Sequence, residues 1–127
     1  MLALVLCYAT HMTLVPLKTY LRTFRKRVGL THDEVAFLAG GASGTSVARH
    51  ERGKRVPLLR TALMYELILR VPIRILYEGL LYDSLATFHR RIAGLCASLE
   101  RQERTRARDR KIAHLKAVLE ELRSIQS

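Results

Sequence analysis

The stretch THDEVAFLAGGASGTSVARHERGKRVP, residues 31–57, decides the fold. Thr31 followed three residues on by Glu34 is a capping box. The hydroxyl can accept from the backbone N–H of residue 34, and the carboxylate can reach back to residue 31. Val35, Ala36, Leu38 and Ala39 supply the inner face of a helix, and Ala36 is small where two helices must cross closely. Gly40 and Gly41 end that helix, because a left-handed residue there costs glycine little. Ser43 is the expected N-cap of a second helix running from Gly44 to about Glu51, with Val47, and in part His50, turned inward. The pattern predicts two short helices joined by a glycine turn and followed by a basic loop.

The second helix has a small, polar front and outer side: Gly44, Thr45, Ser46, Ala48 and Arg49. Small residues let a helix end approach base edges, and its amides and dipole favour phosphate. Arg49 has the reach and the fork to take guanine O6 and N7. Arg52, Lys54 and Arg55 around the turn at Gly53 can lie along a phosphate strand, which positions a protein without reading sequence. The plainer reading makes the serines, threonine and glycine cap residues only and Arg49 a surface charge. GGASGTS also invites a reading as a nucleotide-phosphate loop, but it lacks the Lys-Ser or Lys-Thr pair and no strand precedes it.

Working outward, Leu17, Tyr20, Leu21, Phe24 and Val28 step by three and four, which predicts a first helix from Leu17 to Val28. Pro16 suits its first turn and Gly29 its stop. Arg22, Arg25, Lys26 and Arg27 crowd its other face. After Pro57, LLRTALMYELILRV mixes two apolar stripes (Leu59, Ala62, Leu63, Leu67, Leu69), so a well-buried helix is expected, with Glu66 needing a partner. Pro72 opens a short helix around Ile75, Leu76 and Tyr77. Tyr77, Leu80, Leu81 and Tyr82 read either as core or as an apolar interface.

Residues 25–57 resemble the helix-turn-helix regulators of the phage-repressor and Cro type, also called the xenobiotic-response-element family, through RKRVGLTHDEVAFLAG and TSVARHERGKRVP. The similarity extends over about residues 17–80. The joint pattern of Arg25, Gly29-Leu30-Thr31, Glu34, Ala36, Val47, Glu51, Gly53 and Pro57 carries it. The resemblance implies an all-α, five-helix lambda-repressor-like domain with the helix at 44–51 in the major groove of double-stranded DNA. It implies base reading by Gly44, Thr45, Ser46 and Arg49, phosphate contacts from Thr31, His32, Ser43, Arg52, Lys54 and Arg55, and an ion pair between Arg25 and Glu51. Two features depart from the family. His32 stands where Gln is common, and the turn Gly40-Gly41-Ala42 is one residue longer, which shifts the base-contact assignments by about one residue.

Three segments are expected: 1–12, an apolar arm or an extension ahead of a start at Met12; 13–82, the DNA-binding domain; and 83–127, a helical tail. In the tail, Leu85, Phe88, Ile92, Leu95 and Leu99, then Ile112, Leu115, Leu119, Leu122 and Ile125, step by three and four in coiled-coil fashion. The polar run RQERTRARDRK, residues 101–111, between them is either an exposed helix midsection or the loop of a hairpin. An unbroken helix would be about 60 Å long and could not bury its stripe alone. A homodimer through residues 75–127 is expected, with an unidentified protein partner, as in an antitoxin, as the alternative.

Composition is consistent with this reading. Lys and Arg number 22 against 11 Asp and Glu, a net charge of +11, with 49% hydrophobic and 26% charged residues. That balance describes a folded unit attractive to polyanions. The excess is denser over residues 13–80 than over the tail. Residues 1–9 are apolar but too few to span a bilayer. Cys7 and Cys96 lie far apart without metal-ligand spacing. The histidines are scattered and no nucleophile has a base beside it, so neither catalysis, a cofactor, a metal nor a membrane is expected. A cytoplasmic, nucleoid-associated location is.

Overall fold

The computed structural model describes residues 19–41 and 43–126. The apolar stretch 1–12, Cys7, Pro16 and Leu17 lie outside the described residues. The protein is all-helical: α1 Leu21–Val28, α2 His32–Leu38, α3 Gly44–Glu51, α4 Leu59–Leu69, α5 Ile73–Leu76, α6 Glu78–Glu100 and α7 Arg106–Gln126, with no strand among the described residues. Contacts divide the chain between Asp83 and Ser84 into two units.

In the first unit the helix boundaries follow local chemistry. α1 begins at Leu21, four residues later than its apolar spacing predicts. The Thr19 hydroxyl accepts from the Leu21 N–H (3.1 Å), and the Tyr20 N–H donates to the Leu76 carbonyl (2.8 Å), so both residues are held in a non-helical entry. Gly29 ends α1 at φ 80°, its N–H donating to the Arg25 and Lys26 carbonyls. The capping box opens α2: Glu34 N–H donates to Thr31 Oγ1 (3.1 Å), and Thr31 N–H donates to Glu34 Oε2 (3.2 Å). Gly40, at φ 68°, turns the chain out of α2.

The core gathers Leu21 and Phe24 from α1, Val35 and Ala36 from α2, Val47 from α3, Tyr65 and Leu69 from α4 and Leu76 from α5. Burying each large apolar side chain contributes about 1.5–3 kcal/mol. Two expected core faces are not closed. Val28 and Leu38 are half-exposed, and α4 buries only the face of Ala62, Tyr65 and Leu69. Its second stripe is open, with Leu59 74% and Leu67 68% exposed. A helix at the edge of a small core has one inner face, so a second apolar stripe on it meets solvent. Glu66 finds the partner it needs: Oε1 accepts from the Ile73 N–H (2.8 Å) at the start of α5.

In the second unit the polar run is a turn. α6 stops at Glu100 and α7 starts at Arg106. The Thr105 hydroxyl accepts from the Arg108 N–H (3.1 Å), as an N-cap does. Arg108 then reaches back, Nε to the Leu99 carbonyl (2.8 Å) and an η-nitrogen to that of Glu100 (3.1 Å), filling the open carbonyls at the end of α6. The tail is thus two helices, not one rod. Leu85, Ile92 and Leu99, seven apart, are buried, as are Ile112 and Leu122 of α7. Cys96 is a half-buried free thiol.

Candidate nucleic-acid interface

α3 is fixed at both ends. At its C-terminal end Glu51, whose side chain is only 4% exposed, is the centre of a polar brace. Arg25 of α1 pairs with it through Nε, and a second guanidinium nitrogen lies 3.4 Å from Oε2. The same guanidinium donates to the Leu30 carbonyl (2.9 Å). His32 Nε2, at the start of α2, lies 2.9 Å from Glu51 Oε2. An ionised carboxylate only accepts, so the ring nitrogen donates. One buried carboxylate therefore ties α1, α2 and α3 together and sets the angle at which α3 is presented.

At the N-terminal end the expectations need correcting. Gly44 is buried, so it does not face outward as a base-reading residue. A Cβ there would lie 2.3 Å from Asp33 Oδ1 and 3.0 Å from the His32 Cβ. Gly44 is glycine because α2 passes that closely. Ser43 occupies the N-cap position, but its side chain makes no capping bond; Asp33 Oδ1 accepts from the Gly44 N–H instead (3.2 Å). That carboxylate stands where a phosphate was expected, and like charges repel, so the front of α3 is not a phosphate seat. His32 Nε2 is committed to Glu51, which leaves Nδ1 of the partly exposed ring for the expected phosphate contact. The readable signal for the close approach was a glycine directly after an N-cap, where helix propensity disfavours it. We expect Gly44→Ala to lower unfolding stability by about 1–3 kcal/mol, as overpacking does, in a urea titration. An unchanged midpoint would contradict the close approach.

The remaining candidates share one side of α3. Thr45, Arg49 and Arg52 step by four and three along its outer face and are exposed, with Lys54 and Arg55 exposed in the following loop. Arg52 Nε donates to the Ala48 carbonyl at 3.3 Å. Among the described residues none of Arg49, Arg52, Lys54 and Arg55 forms an ion pair. Thr31 is exposed but engaged in its capping box, and Ser46 is half-buried on the flank of α3. The outer face of α3 is therefore cationic and uncompensated, while its one carboxylate, Glu51, is buried and matched.

The sequence turns His50 inward in part but does not show its partner, Tyr65, which makes it the inner anchor of α3. His50 Nδ1 lies 2.7 Å from the Tyr65 hydroxyl of α4, the rings edge to face at 5.8 Å. Burial, and then the charge of Glu51, push the Tyr65 phenol up to about 12. Burial, and then the charge of Arg55, hold His50 below its ordinary 6.5. The unfolded chain therefore takes up this proton first as pH falls. The stability that His50 contributes is full above about pH 6.5, declines below it, and levels off once His50 protonates in the fold. Thermal melts between about pH 7 and pH 5 should show that decline, and His50→Gln should flatten it. An equal slope in the variant would contradict the assignment.

No group of three or more His, Cys, Asp or Glu among the described residues could hold a metal, and none of their helices is long and apolar enough to cross a membrane. Compared with family models, curated proteins and solved structures, the chain matches none.

Proposed function

We propose that the protein is a sequence-specific double-stranded DNA-binding transcriptional regulator of the phage-repressor and Cro type, with a five-helix lambda-repressor-like domain formed by α1–α5 and α3 as its recognition helix. The observation that carries this reading is the cationic outer face of α3, uncompensated among the described residues and held at a fixed angle by the brace of Arg25 and His32 on the buried Glu51 carboxylate. In the corrected assignment Thr45, Ser46 and Arg49 read base edges, and Arg52, Lys54 and Arg55 anchor on phosphate. Regulation follows from where the site lies relative to a promoter. A homodimer through residues 75–127 places two such helices on half-sites about 34–36 Å apart.

The salt dependence of duplex binding tests this. Anisotropy titrations of a labelled random duplex should give an affinity falling log-linearly with salt, the slope counting the phosphates neutralised. Lys54→Ala should reduce that slope by about one. Salt-independent binding, or none at low salt, would refute the reading. A second reading draws on the tail: Phe88 and Leu95 of α6 are 42% and 50% exposed, which favours a helical interaction protein whose tail binds a partner, as an antitoxin does. Sedimentation of the full chain distinguishes the two: a dimer supports self-association, a monomer a missing partner.

A further inference from the structure

We propose that the cleft between the flank of α3 and the start of α4 is a binding site for a small organic acid with an apolar body. The cleft has a volume of about 880 Å³, in the range of sites that enclose small ligands. Ala36, Ala39, Val47 and Val56 give it apolar walls. The buried His50–Tyr65 pair gives it a polar patch within those walls, and the half-buried Thr61 adds a hydroxyl. Arg55 and Arg60 are its charged lining residues; both are exposed, and among the described residues neither is ion-paired and no carboxylate lines the cleft.

Two guanidiniums without a protein counter-charge select an anion, and Arg is suited to hold a carboxylate through two parallel bonds. The apolar walls select what the anion is attached to. A phosphodiester of a DNA backbone brings little apolar surface to fill them, only the edges of its sugars, whereas an aromatic or aliphatic acid brings much more. Ser46 and Arg55 line the cleft and also belong to the proposed DNA-facing set, so an occupant sits where it can change how α3 meets DNA.

The test uses the full chain without DNA, so its outcome stands whichever way the DNA reading falls, and Arg60 has no role in that reading. Benzoate, 2-naphthoate and decanoate are titrated calorimetrically, each against its neutral amide, with inorganic phosphate as a further probe. At least one acid should bind saturably at one site, its amide at least tenfold more weakly, and Arg60→Gln should weaken the acid about tenfold or more, as loss of a charge-assisted bond does. The variant's melting curve should match that of the parent, since Arg60 is exposed. No saturable binding by any acid, amide binding equal to the acid, or an unchanged affinity in Arg60→Gln would overturn the proposal. Phosphate binding as tight as the best acid would overturn it too, making the cleft a simple anion seat.

Discussion

Glu51→Ala should cost the first unit about 3–5 kcal/mol, the usual consequence of leaving a buried charge without its partner. The substitution strands the guanidinium of Arg25, whose side chain is 10% exposed, and frees His32 at the head of α2. For a unit of this size each kcal/mol shifts the melting temperature by about 4–8 °C, so the midpoint should fall by upwards of about 12 °C. The effect reports a stranded charge and not a large net gain from the pair. Replacing both partners, Arg25→Met with Glu51→Leu, should therefore recover most of the loss. Recovery of stability with loss of DNA affinity would place the brace's role in the angle of α3. A midpoint for Glu51→Ala within a few degrees of the parent would contradict the buried brace.

The second large effect concerns Arg49. It is exposed on the outer face of α3 and has no ion pair among the described residues, so none of their packing depends on its guanidinium. Arg49→Ala should leave the melting curve unchanged. It should weaken binding to a preferred duplex by about 1–3 kcal/mol, roughly 5- to 150-fold, and relax discrimination at one base position. Lys54→Ala should instead weaken all duplexes alike. Uniform loss in Arg49→Ala would move it to the phosphate-contact set.

Sequence pattern carried the local signals well. Thr31 with Glu34, Gly29 and the small turn before α3 are decided by chemistry within four residues, and α2 and α3 lie where those residues put them. The need of Glu66 for a partner was likewise legible, because a carboxylate on a half-buried face must be bonded. What escaped depends on residues far apart in sequence. His32 looks like a free polar residue until Glu51 is brought beside it, and Gly44 looks like a surface residue until α2 crosses it. The two stripes of α4 are equivalent in sequence; only the assembled core selects Tyr65 over Leu59, Leu63 and Leu67. The break at 101–105 carries no glycine or proline. Its signal was Thr105, an N-cap residue within a run that otherwise reads as solvated helix, completed by the reach of Arg108.

Selection from a random-sequence duplex pool tests most directly whether α3 reads duplex sequence. The parent chain should enrich a defined site, two-fold symmetric with half-sites about one helical turn apart if it acts as a dimer, and Arg49→Ala should lose the preference at one position of each half-site. Failure to enrich any sequence, with the same weak binding in Arg49→Ala, would contradict the account and leave α2 and α3 as a scaffold for the tail.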